Sequence, residues 1–439
     1  MNSLTARAKG PRLFFVRGRR GRRGLAGRAG PLFALLLALL LPGALRAAAV
    51  TLGNEVLARH GFRELAGKRV GLLTNPTGVN RRGQTTIDLL RTAPGVRLVA
   101  LFAPEHGLLG EFTAGKEFPD RVDGRTGLPI YSLYGPGPTR KPTRRQLQGL
   151  DVLVYDVQDL GVRSYTYIST LGLAMEACGG AGVEFMVLDR PNPLGGRRVE
   201  GPELDPRFRS FVGRWPVPYV YGLTCGELAR MINGEGWITN RCRLTVIPLE
   251  GWTRATTWRG TALPWVPTSP NVPRPENALC LVATGLLGEI GGVSIGMGAD
   301  MPFECIGAPW LNADQFARRL NGLRLRGVNF KPIRYQPARG AFKGQSVEGV
   351  RLQFTEPEEA PLVAINFYAL QAVKDLTRRN LVAEAVARGA SFGMIDKLCG
   401  TDAVRRALQG GVEAGRIVSA WRPGEEAFRR KRERYLLYR

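Results

Sequence analysis

The chain has 439 residues, with 62 Lys and Arg against 37 Asp and Glu for a formal charge of +25, and 44% of its residues are hydrophobic. That apolar share excludes intrinsic disorder, and the length exceeds one typical domain. The 56 Gly and 30 Pro place many turns between short elements and no solenoid-like period is present, so two mixed α/β lobes are the expected organisation.

Residues 1–49 carry ten of the basic residues and no acidic one, and they include an unbroken apolar run from Leu32 to Leu41. These are the n-region and h-region of a signal peptide, because a membrane span needs roughly 20 apolar residues. Ala47-Ala48-Ala49 offers a small-residue cleavage site. Export to the periplasm or beyond, without a stable membrane anchor, is the expectation. A nucleic-acid-binding arm is the rival reading of this segment, and no nucleic-acid partner is expected. Without residues 1–49 the charge is +15. The remaining basic residues are dispersed, except for Arg429 to Arg434 before Tyr435-Leu436-Leu437-Tyr438. A solvated helix face accounts for that cluster, although a positive field would also draw an anionic polymer.

The six cysteines, Cys178, Cys225, Cys242, Cys280, Cys305 and Cys399, contain no C-x-x-C pair, and His60 and His106 are the only histidines. A zinc finger and a redox dithiol are disfavoured; disulfides remain open for an exported chain, without a pairing that the spacing can choose.

From Lys68 the chain alternates strands and helices. Arg69–Thr74, Val96–Ala103, Asp151–Val157, Val183–Leu188 and Arg243–Pro248 read as apolar strands. Helices are expected over Thr85–Thr92, Arg144–Leu150, Ser164–Cys178 and Thr224–Asn233, the third with Ser164 as N-cap and Gly179-Gly180 as C-cap. Such β-α units predict an α/β fold: a Rossmann-like, doubly wound parallel sheet over residues 50–251. After about Gly251 the rhythm changes, and residues 252–439 read as a smaller α+β lobe. Its expected helices lie near Asn277–Leu287, Asn312–Asn321 and Phe367–Val386 and at the C-terminus, with strands near Asn329–Tyr335 and Val350–Phe354.

In an open parallel sheet, ligands bind beyond the carboxyl ends of the strands. Four strands deliver polar clusters to that rim: Asn75-Pro76-Thr77-Gly78, Pro104-Glu105-His106-Gly107, Asp156-Val157-Gln158-Asp159 and Asp189-Arg190-Pro191-Asn192-Pro193. Any one of them alone reads as a capped turn; four together point to a site. Glu105 directly follows an apolar strand, a setting shielded from water that suits a general acid, and His106 either assists it or fills the turn. Asp156, Asp159 and Asp189 are candidate partners, bases or sugar-hydroxyl acceptors, since two carboxylates flanking the bond are the usual glycosidase arrangement. Asn75, Thr77, Gln158 and Asn192 are candidate substrate-binding groups on the same rim. Arg163, Tyr165 and Tyr167 open the helix after the third strand, where an anion and a sugar face would be met, packing being the alternative role. No Walker loop, H-E-x-x-H, G-x-S-x-G or G-x-G-x-x-G after the first strand is present, so no cofactor or metal is expected.

These clusters, with Tyr131–Gly135, Asp151–Thr170, Leu188–Gly196, Glu200–Pro202, Thr268–Pro273 and Gly307–Trp310, resemble the NamZ/YbbC family of exo-β-N-acetylmuramidases from about Gly61 to the C-terminal tyrosines. The resemblance implies a glycoside hydrolase with its site in a cleft between a Rossmann-like lobe and a smaller one. It implies release of terminal N-acetylmuramic acid from the non-reducing end of peptidoglycan fragments, such as muropeptides or MurNAc-GlcNAc, and it places the family's candidate catalytic Glu on Glu105. One stretch departs from the pattern. Where E-G-T-x-x-S-E-G-R-G-T is expected, this chain has Glu289 to Ala299, in which Glu289 and Ser294 align but Ile295 and Met297 replace a Glu and an Arg.

The leading expectation is therefore an exo-acting glycosidase with Glu105 as general acid. An exported, non-catalytic muropeptide-binding protein derived from that family is the alternative motivated by Ile295 and Met297. A metal-dependent hydrolase using Glu105, His106, Asp156 and Asp189 is a third. Discrimination of muramic acid from glucosamine requires a cation for the lactyl carboxylate, and Arg163 and Arg190 are the candidates, with ion pairs to Asp159 or Asp189 as their alternative role. The sequence leaves the oligomeric state open.

Overall fold

Strands that are apolar at nearly every position need cover on both faces, which only helices on either side of a parallel sheet provide. The computed structural model describes residues 49–135 and 140–439. The leader expected over residues 1–49 lies outside the described residues except for Ala49.

The first half contains α1 (Gly53–Arg59), β1 (Arg69–Thr74), α2 (Thr86–Thr92), β2 (Arg97–Ala103), β3 (Arg121–Val122), β4 (Pro129–Ser132) and α3 (Arg144–Leu147). It continues through β5 (Val152–Asp156), α4 (Tyr167–Ala181), β6 (Glu184–Leu188), β7 (Glu200–Glu203), β8 (Pro218–Val220), α5 (Cys225–Gly234) and β9 (Leu244–Ile247). Seven strands form one sheet in the order β3-β4-β2-β1-β5-β6-β9, parallel throughout except for the antiparallel edge strand β3. The six parallel strands thus follow the doubly wound order, which reverses between β1 and β5, as the apolar runs led us to expect.

Alternation along the strands supplies the two covered faces. Leu153 and Tyr155 of β5 join the core beneath α4 and α5, whereas Val152 and Val154 join the core beneath α1 and α2. The stripe Ile168, Leu171 and Met175 of α4 is fully buried, each side chain contributing about 1.5 to 3 kcal/mol.

Helix α4 begins and ends later than the sequence suggested. Ser164 is not its N-cap, because its hydroxyl bonds the Tyr219 hydroxyl at 3.1 Å and the helix starts after Thr166. Gly179 and Gly180 lie inside the helix, which ends on Gly182 in the left-handed conformation. A Cβ on Gly179 would stand 2.3 Å from the Asn240 carbonyl oxygen, so this glycine permits close packing rather than termination.

The second half contains α6 (Trp258–Thr261), α7 (Glu276–Ile290), β10 (Cys305–Ala308), α8 (Ala313–Asn321), β11 (Val328–Tyr335), β12 (Val347–Phe354) and α9 (Leu362–Thr377). Five helices follow: α10 (Leu381–Ala387), α11 (Gly393–Cys399), α12 (Ala403–Gln409), α13 (Ala414–Ser419) and α14 (Arg422–Arg432). β10, β12 and β11 make an antiparallel sheet against α8, while α7 packs on α9. The helix expected over Phe367–Val386 is two helices, because the chain turns at Arg378 with φ +62°.

The C-terminal segment returns to the first half. Arg432 is buried and donates to the carbonyls of Tyr221 and Gly222, and Tyr438 donates to Asp189. Arg434 and Lys431 pair with Glu235. The basic cluster is therefore only partly a solvated face. All six cysteines are buried free thiols. Among the described residues no helix is long and apolar enough to cross a membrane.

Candidate active site

Strand β2 ends in buried Leu101, Phe102 and Ala103, and the chain then reverses through Pro104 to Gly107, with His106 at φ +72°. A non-glycine residue in that conformation is sparsely populated and persists only where its surroundings hold it. Here the His106 Nδ1 bonds the Phe112 carbonyl at 2.8 Å. The turn aims Glu105 inward, where its Oε1 accepts from the Gly115 N–H at 2.8 Å and its Oε2 accepts from the Thr166 hydroxyl.

Thr166 stands at the start of α4, beside two tyrosines. The Tyr165 hydroxyl donates to Thr268 Oγ1 at 2.8 Å and the Tyr167 hydroxyl to the Thr268 carbonyl at 2.7 Å, with the two rings edge to face at 5.0 Å. Burial raises both phenols above the ordinary tyrosine value, so both stay protonated donors at neutral pH. They latch Thr268–Pro273 onto the first half and place Ser269, Asn271 and Val272 in one wall of a cavity.

That cavity encloses about 540 Å³, within the range of small-molecule sites. Glu105, His106, Tyr165, Thr166 and Tyr167 line one side; Leu281, Glu289, Ser294, Ile295 and Met297, on α7 and the loop after it, line the other. Glu289 makes no hydrogen bond or ion pair among the described residues. Although its surface is exposed, desolvation by the surrounding protein raises its carboxyl above the ordinary glutamate value.

Of the residues expected at the site, Glu105, His106, Tyr165, Tyr167 and Glu289 line this cavity, and the others do not. Asp156 is buried away from the cavity lining, bound by Arg190 through Nε at 2.5 Å and Nη2 at 3.0 Å and by the Thr86 hydroxyl. Thr77 accepts from the Gln158 N–H at 2.9 Å, Asn75 Oδ1 accepts from the Thr77 N–H at 3.0 Å, and Gln158 donates to the Pro191 carbonyl at 2.8 Å. This network fills the crevice between β1 and β5 where a dinucleotide fold would seat its ligand.

The remaining candidates are also structural. Asp189 accepts from Thr224, Gly226 and Tyr438. Asn192 donates to the Leu223 carbonyl, and Asp159 accepts from Tyr221 and the Gly161 N–H. Arg163 has no exposed surface and donates to the carbonyls of Pro202, Val217 and Leu398 at 2.7, 2.7 and 2.8 Å. Neither Arg163 nor Arg190 reaches the cavity, and Arg190 pairs with Asp156 rather than Asp189. Glu105, His106, Asp156 and Asp189 do not converge as a ligand set either, and among the described residues no cluster of His, Cys, Asp and Glu could hold a metal.

Thr166, Ser269 and Asn271 were not singled out from the sequence, and Ser294 was named only as a position matching the family pattern. The position of Thr166 at the start of a helix beyond a parallel strand was the available signal; for Ser269 and Asn271 only the matched Thr268–Pro273 motif offered one.

A sugar-sized cleft lined by two carboxylates, hydroxyl donors and aromatic rings, beside a doubly wound sheet, suits the paired-carboxylate chemistry of the glycoside hydrolase class. The models of the exo-β-N-acetylmuramidase NamZ family match in two consecutive pieces, the N-terminal one over residues 70–276 and the C-terminal one over residues 279–438. This chain belongs to that family. It is 38% identical over 421 residues to the peptidoglycan β-N-acetylmuramidase NamZ of Bacillus subtilis (strain 168), covering 93% of this chain and 99% of the relative. Crystal structures of two DUF1343 family proteins from Bacteroides fragilis NCTC 9343 superpose with TM-scores of 0.83 and 0.68, at 43% and 29% identity, each covering 89% of this chain and 99% of the other.

Proposed function

We propose that this protein is an exo-acting glycosidase that releases terminal N-acetylmuramic acid from the non-reducing end of peptidoglycan fragments. The observation that carries the reading is the pair Glu105 and Glu289 on one sugar-sized cavity in a chain of this family. A general acid that later acts as base must be accommodated in both protonation states. The Thr166 hydroxyl serves both, donating to the carboxylate and accepting from the protonated carboxyl, while the Gly115 N–H fixes the other oxygen. Glu105 therefore protonates the glycosidic oxygen, and Glu289, bound by nothing else, faces the sugar as nucleophile or base. Tyr165, Tyr167 and His106 shape the sugar-facing surface.

Incubation of the purified protein with MurNAc-GlcNAc, followed by product analysis, tests the reading. Free N-acetylmuramic acid is the expected product; binding without release would instead identify a carbohydrate-binding relative. Export to the periplasm or medium is proposed from the basic and apolar segment in residues 1–49. Cell fractionation with N-terminal sequencing of the mature chain checks it, and a cytoplasmic, unprocessed protein would refute it.

A further inference from the structure

A muramic-acid ligand carries a lactyl carboxylate, yet among the described residues no Lys or Arg lines the cavity, whose own charged groups are Glu105 and Glu289. An anion placed among carboxylates is repelled unless a cation or oriented donors meet it. We propose that Arg339 supplies that cation and reads the lactyl carboxylate of the sugar, an inference that rests on the function proposed above.

Three observations carry it. Arg339 is exposed, and its Nη2 donates to the Oδ1 of Asn271, a cavity-lining residue, at 2.9 Å. No carboxylate pairs with Arg339 among the described residues, so most of the five guanidinium donors remain open. Gly340 and Ala341, the next two residues, themselves line the cavity, so the guanidinium stands at its rim and not at a distance.

The second observation is how the loop is seated. The Ala338 N–H donates to the Gly298 carbonyl at 2.9 Å, and a Cβ on Gly298 would lie 2.4 Å from both the Cγ and the N of Arg339. Gly298 has φ +80°, a conformation glycine adopts without strain. The Gly296-Met297-Gly298 segment is therefore a bare backbone cradle across which the Arg339 stem lies.

The third is the contact between the two loops: a Cβ on Gly340 would lie 3.7 Å from the Met297 Cβ, so the loop carrying Arg339 packs directly on a cavity-lining segment that brings no charge of its own. Val272, Val293, Ile295 and Met297 leave the nearby wall apolar, which suits the lactyl methyl and raises the strength of a charge-assisted bond at its edge.

Arg339→Ala and Arg339→Lys, compared with wild type by calorimetry on free N-acetylmuramic acid and N-acetylglucosamine, test the assignment. The alanine variant should weaken muramic-acid binding by about tenfold, as loss of a charge-assisted hydrogen bond at a partly solvated site does, and leave glucosamine binding within about twofold. Lysine should restore part of the loss, and the wild-type preference for the acid should fall with added salt while the alanine variant's does not. An unchanged muramic-acid affinity in Arg339→Ala, equal losses on both sugars, or a wild type without preference for the acid would overturn the proposal. Selective binding that depends on Arg339 without any hydrolysis would refute the glycosidase reading and leave this one standing.

Discussion

Thr166 and Glu105, 61 residues apart, share a hydrogen bond that joins the loop after β2 to the start of α4. A single hydroxyl thus orients the carboxylate at the cavity wall. Glu105→Gln keeps the shape of the side chain but removes the proton it exchanges, and turnover should fall about 100-fold or more, the usual contribution of acid–base catalysis. Thr166→Val keeps the carboxylate and removes its orienting partner. It should lower kcat by roughly tenfold with KM little changed, the cost of one lost hydrogen bond to a charged group. Steady-state kinetics on a chromogenic muramic-acid glycoside measure both. Equal activity of Glu105→Gln and wild type would remove Glu105 from the chemistry.

Glu289 faces the same cavity with no partner to hold it, so its function should be visible through chemical rescue. Glu289→Ala should lose about 100-fold or more in turnover if its carboxylate attacks or activates water at the sugar. Recovery with azide, giving a glycosyl azide of inverted configuration, would place the lost carboxylate on the attacking face, and the anomer first released by the wild type, retained for a nucleophile and inverted for a base, would distinguish the two. A Glu289→Ala variant that keeps kcat and changes only KM would make Glu289 a binding group.

How far the sequence could be read follows from these same residues. The β-α frame was legible because each strand is apolar on both faces, and Glu105 was legible as a carboxylate at the end of such a strand. Asp156, Asp189, Arg163 and Arg190 carry that same signal for a different physical reason. Charges at strand ends also arise where a buried network seals a crevice, and only the partners distinguish the two: Arg190 on Asp156, and three carbonyls on Arg163. Thr166 and Asn271 were missed because their significance lies in contacts to Glu105 and Arg339, 61 and 68 residues away.

The buried arginines therefore predict loss of stability rather than of substrate affinity. Arg190→Ala leaves Asp156 buried without its counter-charge, and Arg163→Ala orphans three carbonyls, one of them on Leu398 in α11. Each should cost about 3 to 5 kcal/mol. Urea unfolding should show the fall in midpoint, and the fraction that stays folded should keep the wild-type KM. A raised KM with unchanged stability would return either residue to the substrate.

Two buried aspartates set how stability responds to pH. Burial raises Asp159 and Asp189 from 3.8 to about 6, against hydrogen bonds from Tyr221 and Tyr438 that pull the other way. Asp159 Oδ1, buried without a hydrogen-bond partner, shows the cost of the charged form directly. Above pH 6 the folded chain holds both as anions at a penalty that the unfolded chain, ionising near 3.8, does not bear. As pH falls through 6 the folded state takes up protons that the unfolded state does not, so stability rises, and the gain is complete below 3.8, at up to a few kcal/mol for each group. Glu176 and Glu184 act in the opposite sense: burial is the largest single influence and pushes both up, but the hydrogen bonds and charges of Lys141 and Thr239 on Glu176, and of Lys68, Thr245 and Arg243 on Glu184, together outweigh it and hold both below the ordinary glutamate value of 4.5. Their contribution is lost as pH falls through those lowered values. Stability should therefore increase from pH 7 down to about 4.5, where the loss from the glutamates sets in, and decline in stronger acid. Urea midpoints between about pH 4 and 8 measure the profile. Asp159→Asn with Asp189→Asn should flatten it between pH 5 and 7, whereas wild-type stability that climbs with pH across that window would contradict the assignment of both groups.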